Sequence, residues 1–140
     1  MIADLDHIVL AVGDVDASLA FYIEVIGLEP YRVSDWRAGR VIFPSVRLNP
    51  ATIIDLLPPQ YWAESGEDAE EIEMTIRQPN LNHFCLTVAG EDWQPLLDRL
   101  AIAGIAFDSG PMILHGARGD AEAYYLQDPD GIQLELRHYT

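Results

Sequence analysis

The chain has 140 residues, 49% of them hydrophobic and 22% charged, with a formal net charge of −15 at pH 7 and a single cysteine, Cys85. That is the profile of one water-soluble domain with a sizeable core; one cysteine excludes an intrachain disulfide and a cysteine-built zinc site. The acidity argues against nucleic acid or an anionic membrane surface as partner. Lysine is absent, so no side-chain amine can form a Schiff base. No apolar run is long enough to cross a bilayer, and "MIADLD" has no basic start or apolar core of a signal peptide, so the expected location is cytoplasmic.

The first element is a strand in "DLDHIVLAV", residues 4 to 12. His7, Val9 and Ala11 share one face, and Ile8, Leu10 and Val12 form the other, core-like one. A helix follows, with Val15, Leu19, Tyr22 and Ile26 at helical spacing, Asp14 or Asp16 to cap it and Gly27 to end it. Three short strands are then expected at roughly 31 to 36, 39 to 48 and 51 to 57. The last, "TIIDLLPP", sets Asp55 between apolar neighbours. Residues 64 to 73 carry six acids and no base, which reads as a solvated linker or short helix without the ligand spacing of a calcium loop.

"NLNHFCLTV", residues 80 to 88, restarts the pattern 76 residues after the first copy. His83, Cys85 and Thr87 share one face, and Phe84, Leu86 and Val88 the other. Trp93, Leu96, Leu97 and Leu100 form the second helical stripe, with Gly104 after it. Candidate strands follow at 105 to 109, 112 to 115 and 121 to 126, the middle one reading better as a loop. Asp128-Pro129-Asp130-Gly131 is turn chemistry. It leads into "IQLELRHY", where Glu135 occupies the place that Asp55 holds in the first half.

The economical reading is therefore α+β: two βαβββ modules, about 1–58 and 79–140, joined by an acidic loop over 59–78. Neither module closes its own sheet well, so the two are expected to pair into a curved mixed sheet or open barrel around a central cavity. Each module supplies a histidine on its first strand and a carboxylate on its last. Under pseudo-twofold symmetry His7, Asp55, His83 and Glu135 converge. Such a set suits one divalent transition metal ion, Fe(II), Mn(II), Ni(II), Co(II) or Zn(II), with positions left open for water or substrate.

The stretches "LDHIVLAVGDVDASLAFYIEVIGLEP", "LNHFCLTV" and "YYLQDPDGIQLEL" resemble the vicinal-oxygen-chelate superfamily, the glyoxalase, bleomycin-resistance and extradiol-dioxygenase group. The D-P-D-G turn with a glutamate four residues after its glycine is the most specific part. The resemblance implies paired βαβββ modules and metal ligands at His7, His83 and Glu135. In glyoxalase-like members a fourth carboxylate closes the first module, where this chain has Asp55; fosfomycin-modifying members manage without it. It also implies a cavity-lining tyrosine at Tyr125, with Tyr124 facing the core.

Three enzyme readings follow. A glyoxalase-type lyase or isomerase would use Asp55 or Glu135 as base. An extradiol-type dioxygenase needs the three facial ligands, with His115 as the further histidine in a loop. A fosfomycin-type thiol transferase needs cations, for which Arg40, Arg47 and Arg118 are candidates. The first leads because Asp55 fills the fourth position. A different class, a drug- or metabolite-sequestering protein of bleomycin-resistance type, would do without the metal set. Trp62 and Tyr61 are either an aromatic lid or surface packing; Arg47 is either a carboxylate clamp or a solvated edge residue; Cys85 is either beside the site or inert. The expected partners are a small-molecule substrate and, because open sheet edges need covering, a second copy of the chain in a homodimer.

Overall fold

A computed structural model describes residues 5, 7–63, 81, 83–116 and 118–139. The acidic run at 64–73 lies outside the described residues. The chain divides into two compact units, 1–78 and 79–140.

Unit 1 opens with β1 (His7–Ala11) and α1 (Val15–Leu19). Asp14 Oδ1 accepts from the Ala17 N–H at 3.0 Å, satisfying one of the helix's unpaired donors. The helix continues as a π-helical stretch over Ala20–Val25 and stops at Gly27, where φ is +92°. Then come β2 (Glu29–Tyr31), α2 (Val33–Arg37), β3 (Ser45–Asn49) and β4 (Thr52–Leu57). The sheet order is β1-β4-β3-β2. β1 runs parallel to β4, and the other two pairings are antiparallel. Leu10, Val46, Ile54 and Leu56 form the buried face of this sheet, and Val15, Leu19, Tyr22 and Ile26 bury the helical stripe.

Unit 2 repeats the plan with β5 (His83–Thr87), α3 (Gly90–Ile102), β6 (Ser109–Gly116), β7 (Gly119–Gln127) and β8 (Gln133–His138). The order is β5-β8-β7-β6, with β5 parallel to β8. Leu96 and Leu100 of α3, Leu126 of β7 and Leu134 and Leu136 of β8 are buried. Trp93 lies between Tyr124 and His138, at ring-centroid distances of 5.1 and 4.6 Å. The architecture is thus two four-stranded mixed sheets with a few helices, the α+β class the sequence indicates.

Three local expectations are corrected. Residues 31–36 are not a strand: β2 ends at Tyr31 and α2 occupies 33–37. Arg32 takes a left-handed φ of +59° between them, which breaks extended geometry. The strand expected at 39–48 begins only at Ser45, because Arg40 Nε bonds back to Asp35 Oδ1 at 2.8 Å and holds a loop there. In unit 2 the strand lies at 109–116 and 105–108 is the connection, the reverse of the sequence reading. Gly110-Pro111 disguises β6. As the outer strand of its sheet, it tolerates a proline through a register shift between Ser109 and Met112. His115 therefore lies on β6, opposite Asp120, and not in a loop.

Candidate metal centre

The two parallel strand pairs have the same register. Val9 stands opposite Asp55, and Cys85 opposite Glu135, with the histidine two residues before each. Each carboxylate consequently shares a sheet face with the histidine of its own unit.

In unit 2 the D-P-D-G turn sets this register. Asp128 Oδ1 accepts from the N–H groups of Asp130 and Ile132, both at 2.9 Å, and Gly131 takes φ +80°. Gln133, Glu135 and Arg137 then face one way while Leu134 and Leu136 enter the core. Glu135 is buried and fully engaged. Its Oε2 lies 3.2 Å from His83 Nε2 and accepts from the Tyr125 hydroxyl at 3.1 Å. Its Oε1 accepts from Arg137 Nε at 2.9 Å and also from Arg137 Nη2. Arg137, itself buried, spends Nη1 on the Leu114 carbonyl and the Tyr139 hydroxyl, each at 3.4 Å.

These contacts set the charge states. Burial pushes the Glu135 carboxyl up, but hydrogen bonds from Arg137 and then Tyr125 outweigh it and hold the group below its usual range. Burial, then the bond to Glu135, pushes the Tyr125 phenol up, so it remains a neutral donor. The exposed Cys85 lies on the same face; desolvation, then the charge of Glu135, raises its thiol to about 11. So protonated a thiol is a poor nucleophile at neutral pH.

In unit 1 Asp55 is buried, and its Oδ1 accepts from Ser45 Oγ at 2.6 Å and from Arg32 Nη2 at 3.4 Å. Exposed His7 is on the same face, opposite Ile53.

Among the described residues, no three histidine, cysteine, aspartate or glutamate side chains gather within either unit. The donors present nevertheless suit a cation. Two ligands about 2.1 Å from one ion, at tetrahedral to octahedral angles, are about 3.0–3.4 Å apart, and His83 and Glu135 are 3.2 Å apart. Arg137 occupies the far carboxylate oxygen and leaves Oε2 toward the imidazole, an outer-shell arrangement that orients a ligand.

The other sequence candidates lie elsewhere. Trp62 is no free lid: its indole N–H donates to the carbonyls of Leu57 at 3.1 Å and Val12 at 3.3 Å. Tyr61 is exposed. Arg40 pairs with Asp35 at 2.7 Å, Arg47 stacks on Tyr31 with Cζ 4.2 Å from the ring centroid, and Arg118 stacks on Tyr139 at 4.3 Å. Tyr124 turns to the helix side, where it meets Trp93 and Phe107. A cleft of about 650 Å³ in unit 1 is lined by Asp14, Asp16, Trp36, Arg37, Pro58 and others. It contains none of the repeated ligands, and Asp16 is already paired with Arg37 at 2.8 Å. Sequence reasoning missed Arg137 and Arg32. The i, i+2 spacing from Glu135 is a signal for the first; nothing in the sequence marks the turn that brings the second onto the face of Asp55.

Residues 4–136 match the family model of the Glyoxalase/Bleomycin resistance protein/Dioxygenase superfamily. A glutathione transferase, FosA, of Serratia marcescens is 29% identical over 136 residues, covering 97% of this chain and 81% of the relative. A probable lactoylglutathione lyase of Synechocystis is 26% identical, covering 93% of this chain and 91% of its own length. In fold, the chain is similar to the crystal structure of virulence protein STM3117 of Salmonella typhimurium, with a TM-score of 0.69 at 23% identity, covering 100% of this chain and 99% of that one. The chain belongs to the Glyoxalase/Bleomycin resistance protein/Dioxygenase superfamily.

Proposed function

We propose that this superfamily member is a metal-dependent enzyme acting on a small oxygenated substrate, with His7, His83 and Glu135 holding one divalent transition metal ion. The observation that carries the reading is the 3.2 Å approach of His83 Nε2 to Glu135 Oε2, with Arg137 on the opposite carboxylate oxygen. His7 occupies the register position in unit 1 that His83 occupies in unit 2. A complete set requires both units, so the reading includes pairing of the two modules as one domain, within a chain or between two copies. A bound divalent ion supplies Lewis acidity toward adjacent substrate oxygens.

The chain's own groups supply the rest. Arg137 keeps Glu135 ionised, and the Tyr125 hydroxyl, donating to Oε2, orients the carboxylate and can turn to donate a hydrogen bond to a substrate oxygen. Asp55 is the fourth candidate ligand or base. Its bonds to Ser45 and Arg32 favour a structural use, and with it a three-ligand set that leaves more positions for substrate. The named relatives, a glutathione transferase and a probable lactoylglutathione lyase, support transferase or lyase chemistry ahead of oxygen insertion.

Metal analysis of protein purified without chelator tests the reading. About one ion per chain is expected, lost in His7→Ala, His83→Ala and Glu135→Ala and kept in Asp55→Asn. Full stoichiometry in His83→Ala would defeat the ligand set. Oxygen uptake with a panel of catechols and restored Fe(II) would move the reading to a dioxygenase. Tight ligand capture by metal-free protein, with no turnover once metal is restored, would move it to a sequestering protein.

A further inference from the structure

Arg32 is held in an unusual way. Among the described residues it alone of the non-glycines has a positive φ, a conformation that side chains disfavour and that proteins retain where a site demands it. The turn has a definite result. It breaks the strand alternation after Tyr31 and brings the guanidinium onto the face carrying Ser45 and Asp55, where Nη2 donates to Ser45 Oγ at 3.0 Å and to Asp55 Oδ1 at 3.4 Å. Phe43 lies beneath the cation, 4.9 Å from Cζ, and Tyr31 beside it at 5.7 Å. Two aromatic rings and a carboxylate fix the group in one orientation.

That orientation leaves donors over. A guanidinium has five N–H bonds; among the described residues Nη2 makes every hydrogen bond and Nη1 none, while Nε is buried without a partner. The side chain is nonetheless 30% exposed. The surrounding face is open to ligand, since Val9 is 50% and Tyr31 38% exposed. Arg47, stacked on Tyr31, adds a second cation that also donates to the Pro50 carbonyl at 3.2 Å. Glu29, opposite Arg47 in register, is an exposed counter-charge. Each of the two arginines has an acidic neighbour, so the patch offers an anion fixed donors and not an excess of positive charge.

We infer that Arg32, braced by Asp55 and Ser45 and assisted by Arg47, anchors an anionic group of the substrate, a carboxylate or phosphonate, on the unit 1 sheet face that also carries His7. The inference deepens the proposed function and rests on it in taking that face as substrate-facing. Asp55 then serves by presenting the arginine, and the oxyanion is received at Nη1, the donor group not engaged by Ser45 or Asp55.

The test separates anion binding from metal binding. Methylphosphonate and, separately, propionate are titrated into full-length protein before and after chelator treatment, with the Arg32 Nε–H resonance as reporter. Binding is expected to survive chelation, to weaken at least tenfold in Arg32→Gln and several-fold in Arg47→Gln, and to be partly retained in Arg32→Lys. Which of the two anions binds more tightly identifies the group. If Arg32→Gln does not fold, the double variant Arg32→Gln/Asp55→Asn, which removes both charges together, takes its place. Binding that is unchanged in the Arg32 variant, or absent from the chelated protein, overturns the inference. Arg32-dependent anion binding in a protein that holds no metal would sustain it while sinking the metal reading.

Discussion

Replacing Arg137 with Gln gives the sharpest test of how the unit 2 site is built. The substitution removes both hydrogen bonds to Glu135 Oε1 and the contacts to Leu114 and Tyr139. It leaves Glu135, 3% exposed, as a buried carboxylate without its counter-charge. Breaking a buried pair on one side costs about 3–5 kcal/mol. For a chain of this size each kcal/mol lowers Tm by about 4 °C, so a fall of about 12–20 °C is expected. Thermal melts followed by circular dichroism measure it. The sign of the pH dependence gives a second check. Without Arg137, burial dominates and the folded-state pKa of Glu135 rises above its unfolded value, so the variant gains stability as pH falls toward 5 while the wild type does not. Glu135→Gln/Arg137→Met, which removes both charges, should recover most of the loss. An Arg137→Gln protein within about 1 kcal/mol of wild type, with no acid rescue, would refute the reasoning.

Gly110→Ala should destabilise by well over 2 kcal/mol (~, from backbone overlap and a disfavoured φ), because the added Cβ would meet the Ala123 carbonyl oxygen at 2.5 Å and Tyr124 Cα at 2.9 Å. Gly39→Ala, at φ +72° in open space, should cost only about 1 kcal/mol; equal costs in denaturant titrations would contradict both assignments. Trp62→Phe should lose about 1–2 kcal/mol from its shared hydrogen bond to Val12 and Leu57, and an unchanged unfolding midpoint would return Trp62 to the role of a loose lid. Alkylation of Cys85 at pH 8 should run about a hundredfold slower than that of an ordinary thiol, since a pKa of about 11 leaves very little thiolate. The rate should climb until about pH 11 and rise at pH 8 in Glu135→Gln; a plateau below pH 9 would show that the thiol is not raised.

The parts legible in the sequence are those that repeat. His7 with His83, and Asp55 with Glu135, could be paired because two parallel strands in each half impose the same alternation, and period-two patterns survive in a single sequence. The stripes ending at Gly27 and Gly104 were legible for the matching reason at helical period. What escaped depended on single backbone torsions or on contacts across strands. The left-handed turn at Arg32 converts an apparent strand into a helix start, and an arginine gives no sign of it. Gly110-Pro111 reads as a break, yet an outer strand accommodates it by a register shift. Arg137 reads as one more solvated residue in an alternating strand. Its guanidinium is bonded by Glu135, the Leu114 carbonyl and the Tyr139 hydroxyl, and the reach to Leu114 on another strand is tertiary information.

The outer position of β6 has a consequence for aggregation. Pro111 has no N–H to offer, and the slip between Ser109 and Met112 throws the strand out of phase with any straight partner, so a neighbouring chain cannot zip along that rim despite exposed Met112 and Ile113. The far rim of the same sheet, β5, has neither obstacle. Growth by strand addition is thereby barred at one margin of this sheet and open only at the other, which removes half of the template an uncovered sheet offers to aggregation.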